Sequence, residues 1–193
     1  GETALNAARV LQPPDTPLSE RGLEQAAALA LRLRAEPIAA VWSSDLPRAW
    51  QTAAALAAGR PIRPEPLLQE RNFGDWRGRP YDSLPFDPLA AAEAPPGGES
   101  GAAFDVRIAQ AWAGALAAAA GLGGTLALVT HGLVIRRLLE AVVPLATGVA
   151  PPQRIGNTSL TIVEGSPPRA VRVDCTAHLD AAHVDDPRAL SGG

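Results

Sequence analysis

Side chains that could bind a phosphoryl group occur first in the segment Ser43 to Ala49. Pro47 suits the first position of a helix, so Arg48 would lie in the first helical turn, where the helix dipole disfavours a cation. A bound anion would remove this conflict, because it would accept from backbone N–H groups and from the guanidinium. The alternative is an ion pair between Arg48 and a surface carboxylate. The pattern therefore makes Arg48 a candidate anion-binding residue.

Two further segments carry candidate acid–base groups. His131 follows an apolar run and precedes a helical pattern, so we expect it at the carboxyl edge of a sheet, where open α/β folds bind ligands. A buried structural histidine is the alternative. Glu70 and Arg71 lie in a loop before Gly74, and a carboxyl beside apolar surface can act as a general acid. A solvated ion pair would give the same local sequence.

Apolar periodicity predicts the elements that position these side chains. Ser19 is a plausible N-cap of the first long helix, and Pro37 ends that pattern. The last two strands are joined by a turn over 165–168 and form a hairpin. Residues 61–96 are predicted to be covering loops, and residues 180–193 a loosely held tail. We predict helices over 20–34, 47–58, 100–120 and 133–142, and strands over 38–42, 125–130, 158–164 and 170–176.

Helices that alternate with continuous apolar strands predict one α/β domain over residues 1–193. The expected architecture is a three-layer α/β/α sandwich with a mostly parallel central sheet. The net charge is −3, and no block of like charges points to nucleic acid or to a membrane surface. The uncharged stretch 111–130 is interrupted by Gly121, Gly123 and Gly124 and is not a membrane span. A single cysteine, Cys175, favours an intracellular protein, and we predict a cytoplasmic location.

A series of motifs along the chain resembles the histidine phosphatase, or phosphoglycerate mutase-like, superfamily. The likeness spans nearly the whole sequence, and the motifs occur in the order that the family shows. The matching segments are Gly1-Glu2-Thr3 with Asn6, Pro17 to Gly22, Ser43 to Ala49, Glu70 to Trp76, Pro96 to Ser100, His131-Gly132, Asn157 to Ser159 and Thr176 to Leu179.

One departure from the family concerns the nucleophile. In the family a nucleophilic His stands immediately before the Gly that Gly1 matches, and a phosphate-binding Arg precedes that His. Either these residues and a first strand lie upstream of Gly1, or the protein is a relative that lacks the nucleophile. We favour the first explanation, because loss of a central parallel strand would leave the backbone groups of its neighbours unpaired.

The resemblance implies a reaction through a phosphohistidine intermediate, with no cofactor and no metal ion. Arg48, His131 and Asn6 would bind the phosphoryl oxygens, with His131 protonated. Glu70 would protonate the leaving oxygen and then, as a carboxylate, activate water. The further residues predicted to bind phosphate or substrate are Thr3, Arg71 and Gly132.

The resemblance favours a phosphatase over a mutase, because Leu133 and Val134 follow the second His-Gly pair and the loop before Pro96 is short. The predicted substrate is a small phosphorylated metabolite, as for broad-specificity or α-ribazole phosphatases. Two alternatives remain open: a phosphoglycerate mutase, and a noncatalytic phosphate-binding relative. Neither nucleic acid nor a membrane is an expected partner, and a homodimer is left open.

Overall fold

The centre of the fold is a parallel three-stranded sheet, seen here in a computed structural model that describes residues 1–186 and 189. Strand β1 (Ile38–Ser43) lies between β2 (Ile62–Pro64) and β3 (Thr125–Val129) and runs parallel to both. The helices are α1 (Ala4–Ala7), α2 (Glu20–Arg32), α3 (Pro47–Ala57), α4 (Gly101–Ala119) and α5 (Gly132–Ala141).

Helices cover both faces of this sheet, because successive side chains of a strand point to opposite faces. Val41 of β1 packs with Ala53 and Leu56 of α3, and α2 packs on α3. Trp42, the next residue of β1, packs with Ala111 of α4 on the other face. These contacts confirm the predicted three-layer α/β/α sandwich. Among the described residues, no helix is both long and apolar enough to span a membrane.

The predicted hairpin is formed by β4 (Leu160–Glu164) and β5 (Arg169–Cys175), which pair in antiparallel orientation. Residues 61–96 contain β2 and three short 3-10 turns, Pro66–Leu68, Gly74–Trp76 and Tyr81–Ser83, and otherwise form loops. Within the tail, residues 180–186 contact α2, where the side chain of His183 lies 3.1 Å from that of Glu24. Residues 187, 188 and 190–193 of the predicted loose tail lie outside the described residues.

A cavity of about 620 Å³, here called the central cavity, lies between β3 and β4. Strand β3 pairs with β1 along one edge, and β4 pairs with β5 along one edge. The opposite edges of β3 and β4 face the cavity. Much of the lining is apolar and comes from both strands and from the helices on either side. It includes Leu29, Leu56, Leu116, Leu126, Leu128, Leu138, Leu160 and Ile162.

Helix α2 approaches the first residues of the chain closely at Gly22. The N–H of Ser19 donates to the Glu2 carbonyl over 2.9 Å, and the N–H of Glu2 donates to the Gln25 side chain over 2.7 Å. A Cβ atom placed on Gly22 would lie only 2.0 Å from the Glu2 carbonyl oxygen. Only glycine at this position allows α2 to hold the segment that begins at Gly1.

We expect Gly22→Ala to lower the free energy of unfolding by about 1–3 kcal/mol, the usual cost of overpacking. The cost arises although alanine is intrinsically favoured over glycine in a helix by about 1 kcal/mol. Gly114→Ala in α4 is the matched control, because a Cβ atom there meets only open space. Urea denaturation should show this control to be more stable than wild type by about 0.5–1 kcal/mol. If Gly22→Ala and Gly114→Ala stabilised the protein equally, the close approach of α2 to Glu2 would be contradicted.

Candidate active site

Arg48 lies in the first turn of α3 and is buried at one end of the central cavity. Its Nη1 donates a long hydrogen bond, 3.5 Å, to the Pro13 carbonyl, and its buried Nε has no partner. Within the described part of the chain, no carboxylate forms an ion pair with it. Burial lowers the pKa of Arg48, although the charge of Glu70 opposes this effect. A buried guanidinium without a counter-ion is a site prepared for an anion.

His131 is the N-cap of α5 and lines the same end of the central cavity. Its Nε2 lies 2.8 Å from the Ser44 hydroxyl, in the turn that follows β1. Burial lowers the pKa of His131 well below its usual value, and the nearby positive charge of Arg48 lowers it further. A protonated His131 stays a prediction for the phosphate-bound state, because a bound anion would oppose this lowering of the pKa.

Glu70 is buried beside the start of α5, and burial raises the pKa of its carboxyl to about 7. The N–H of Arg71 donates to Oε1 over 2.8 Å, and together with the charge of Arg48 it limits the rise in the pKa. The other oxygen, Oε2, is buried and has no hydrogen-bond partner. A carboxyl with a pKa near 7 and one unused oxygen is suited to give and take a proton at neutral pH.

Arg107 of α4 fixes the segment that carries Glu70. Its guanidinium forms a two-pronged ion pair with Glu99, in which Nε and Nη2 donate over 2.9 and 2.8 Å. Its Nη1 also donates to the carbonyls of Leu67 and Gln69 over 2.7 and 2.8 Å. These contacts hold the backbone before Glu70 against a long helix, so the carboxyl sits on a rigid support.

Arg71, which the sequence predicts to bind substrate, has a different position in the structure. Its guanidinium donates to the carbonyls of Glu99, Ala91 and Glu93 over 3.0, 2.6 and 2.9 Å. The side chain is buried among these loops and is not part of the lining of the central cavity. All its donor nitrogens therefore hold the covering loop, because a buried guanidinium must satisfy its N–H groups, and none is directed to a ligand.

The first residues of the chain form a hydrogen-bonded group at the cavity. The Thr3 hydroxyl accepts from the N–H of Asn6 over 3.0 Å and donates to Gln12 over 2.8 Å. The Asn6 amide donates to Asn157 over 3.2 Å. Thr3, Asn6 and Gln12 all line the central cavity, as does the predicted Gly132. Sequence reasoning missed Gln12, although it lies only six residues after Asn6.

Asp185, in the tail, is a second residue that the sequence did not indicate. Its carboxylate accepts from the N–H and the amide of Asn157 over 2.7 and 3.0 Å. It also accepts from Gln25 over 3.0 Å and lies 3.4 Å from Arg154. Asp185 thus joins α2 to the asparagine that contacts Asn6. No pattern in the sequence signals it, because its partners lie far along the chain.

A comparison with known proteins decides the family. The sequence model of the histidine phosphatase superfamily (branch 1) matches residues 1–175. The chain belongs to the histidine phosphatase superfamily. A protein of Yersinia pestis (strain Pestoides F), named "Probable phosphoglycerate mutase GpmB", is 34% identical over 201 residues, which cover 97% of this chain and 93% of that protein.

Solved structures of the superfamily share this fold. A mycobacterial glucosyl-3-phosphoglycerate phosphatase, solved with inorganic phosphate, is 30% identical with a TM-score of 0.74, and the match covers 93% of this chain and 96% of that one. A phosphoserine phosphatase variant from Entamoeba histolytica, solved with phosphoserine, is 26% identical with a TM-score of 0.71, covering 93% and 95%.

The buried carboxyl of Glu70 has a consequence for stability. Its pKa is about 7 in the folded chain against an ordinary 4.5, so the folded state binds more protons than the unfolded state between these pH values. The free energy of unfolding therefore falls as pH rises through this window. We expect the free energy of unfolding of Glu70→Gln, relative to that of wild type, to rise by about 2–3 kcal/mol between pH 4.5 and pH 8. Urea denaturation at both pH values measures it.

The exposed substitution Glu164→Gln serves as the control for that measurement, because it also removes one carboxylate but at an exposed position. If the free energy of unfolding of wild type falls no more than that of Glu70→Gln across this pH range, burial does not raise the pKa of the Glu70 carboxyl.

Proposed function

We propose that this protein is a metal-independent phosphomonoester hydrolase that acts through a phosphohistidine intermediate on a small organic phosphate. The observation that carries the proposal is the pairing of an anion site with an acid. Arg48 is buried with no carboxylate partner among the described residues, and the carboxyl of Glu70 has a pKa of about 7. Membership of the superfamily supports the same reaction, as do the named phosphatases among its relatives.

The position that precedes Gly1 is the place for the nucleophile in this proposal. The Gly1 nitrogen is buried at the cavity, 3.2 Å from the Thr52 hydroxyl. A residue joined to that nitrogen would lie beside Arg48 and His131. The family resemblance assigns the nucleophilic His to this position, and the burial of the Gly1 nitrogen at the cavity supports the proposal.

The central cavity supports the same assignment. An additional parallel strand between β3 and β4 would pair with the edge of each and fill an apolar space. Such a strand would be covered by helices on both faces and would be apolar throughout. The nucleophilic His would follow the carboxyl end of this strand and be joined to the Gly1 nitrogen, next to the ends of β1 and β3.

In the proposed reaction, a ring nitrogen of the nucleophilic His attacks phosphorus and the P–O bond to the leaving group breaks. Glu70 gives its proton to the leaving oxygen, which departs as an alcohol. Arg48 and the first turn of α5 stabilise the charge on the phosphoryl oxygens. Glu70, now a carboxylate, takes a proton from the water that cleaves the N–P bond and releases inorganic phosphate. Both steps use the same carboxyl group.

Phosphoglycerate mutase activity is the second candidate, and the likeness to the Yersinia protein favours it. A mutase would return the phosphoryl group to its substrate, whereas a phosphatase transfers it to water. An isomerisation assay with a phosphoglycerate, run beside an assay for released phosphate, distinguishes the two. We favour the phosphatase, because the named solved relatives with similar folds are phosphatases.

We expect Glu70→Gln to lower kcat for hydrolysis of para-nitrophenyl phosphate by about 10²–10⁴-fold, the usual contribution of a positioned acid and base. The enzyme should be expressed from its complete gene, and its intact mass should be measured to count any residues ahead of Gly1. Mass spectrometry of the quenched reaction should locate a phosphoryl group on a histidine. Because Glu70 must begin protonated, kcat/KM should fall as pH rises through about 7.

Glu20→Gln is the control, because Glu20 is exposed at the start of α2 and does not line the central cavity, and this variant should keep wild-type turnover. Wild-type turnover by Glu70→Gln would contradict the assigned acid. Phosphate binding without any turnover, by protein with a histidine before Gly1, would favour the noncatalytic alternative.

A further inference from the structure

Asp185 is a buried carboxylate of the tail, and several hydrogen-bond donors converge on it. The N–H and the side-chain amide of Asn157 donate to it over 2.7 and 3.0 Å, and the side-chain amide of Gln25 donates over 3.0 Å. The Arg154 guanidinium lies 3.4 Å away. Asp185 itself does not line the central cavity, so any effect on a ligand there passes through the residues that it holds.

The contact with Asp185 fixes which end of the Asn157 amide faces the site. A carboxylate only accepts hydrogen bonds, whereas a side-chain amide has a donor end and an acceptor end. Because Nδ2 of Asn157 donates to Asp185, its Oδ1 faces the other way and accepts from Nδ2 of Asn6 over 3.2 Å. If the Asn157 amide were turned over, its NH2 group would meet that of Asn6 and neither could accept.

Asn6 takes the same polarity from Asn157. Its Nδ2 donates to Asn157, and its Oδ1 accepts from the N–H of Thr3 over 3.0 Å. An amide nitrogen carries two N–H groups, and the second one of Asn6 has no acceptor among the described residues. Asn6 is buried and lines the central cavity. One N–H donor is therefore left for an oxygen atom of a ligand in the cavity.

Gln25 of α2 is oriented by Asp185 in the same way. Its Nε2 donates to Asp185, and its Oε1 accepts from the N–H of Glu2 over 2.7 Å. The Gln25 side chain is completely buried, so it has no water with which to exchange these partners. One carboxylate thus orients two amides, and both present an acceptor oxygen to the segment that begins at Gly1.

We propose that Asp185 is a positioning residue for phosphoryl binding: it fixes the polarity of the Asn157 amide and so keeps one N–H of Asn6 available to the phosphoryl group. The inference rests on the proposed function, because it takes the phosphoryl group to bind beside Asn6. Asp185 acts through two asparagines and does not touch the substrate. A donor that is oriented before the anion arrives needs no rearrangement on binding, which favours the bound state.

The test is calorimetric titration with inorganic phosphate of protein expressed from its complete gene, in wild type and in Asp185→Asn. We expect Asp185→Asn to weaken phosphate binding by about tenfold, because an asparagine can also donate, the amides can turn over, and a hydrogen bond to the anion is lost. Charge alone predicts the opposite sign, since removal of a nearby negative charge favours an anion. Weaker binding therefore distinguishes positioning from a charge effect.

Asp180→Asn is the matched control, because it removes the same charge from an exposed position of the same tail. We expect its phosphate affinity to stay within about twofold of wild type, since exposed charges are screened. Asp185→Glu, which keeps an acceptor-only side chain, should bind phosphate more tightly than Asp185→Asn. Asparagine matches the shape of aspartate better than glutamate does, so a packing effect would rank these two variants in the reverse order.

A double-mutant cycle with Asn6→Ala tests the route of the effect. In the Asn6→Ala background, Asp185→Asn should change phosphate affinity by less than about twofold, because the donor that Asp185 positions is gone. If urea denaturation shows that Asp185→Asn does not fold, Asn157→Ala breaks the same link and should give the same loss, again only where Asn6 is present.

Three results would overturn the inference: unchanged or tighter phosphate binding in Asp185→Asn, an equal loss in Asp180→Asn, or a full effect of Asp185→Asn in the Asn6→Ala background. Absence of phosphate binding to wild type would overturn it as well, because it requires a phosphoryl group beside Asn6.

The proposed function can fail separately. If wild type binds phosphate but hydrolyses no phosphomonoester, the cycle still measures the role of Asp185, and only the hydrolase proposal fails. If wild type hydrolyses para-nitrophenyl phosphate and Asp185→Asn keeps both its phosphate affinity and its kcat/KM, the role of Asp185 is refuted and the hydrolase proposal stands.

Discussion

The burial of Arg48 without a counter-ion is the constraint on which the rest of the site depends. A charged guanidinium taken out of water is costly, and a pairing carboxylate would normally offset that cost. Here the nearest acid, Glu70, has its own pKa raised to about 7 and gives little compensation when protonated. Burial also lowers the pKa of His131, which disfavours a second positive charge beside Arg48. The site is therefore short of negative charge, and an incoming phosphate supplies it.

The fold makes this arrangement possible by placing rigid backbone around the cavity. The ends of β1 and β3 bring the turn before α3 and the start of α5 to one edge of the sheet. On the opposite side, Arg107 holds the Glu70 segment against α4. Gly22 lets α2 approach the chain at Glu2, so that Thr3 and Asn6 face the same cavity. Each of these contacts restricts where an anion can sit.

Local sequence was sufficient for those parts of the site that follow directly from strand–turn–helix connections. Arg48 and His131 could be placed because each begins a helix just after a buried strand. Local sequence could not show that Arg71 holds the covering loop instead of a ligand. The partners of Arg71 are carbonyls at residues 91, 93 and 99, and only the folded chain brings these together. Asp185 escaped notice for the same reason.

The central claim, that the buried Arg48 forms a phosphoryl site, is tested most directly by calorimetric titration with inorganic phosphate. We expect saturable binding of one phosphate per chain, weakened about tenfold or more in Arg48→Gln through loss of a charge-assisted hydrogen bond. The exposed variant Arg34→Gln should bind phosphate as wild type does. Absence of saturable binding to the wild-type protein, or unchanged affinity in Arg48→Gln, would contradict the account.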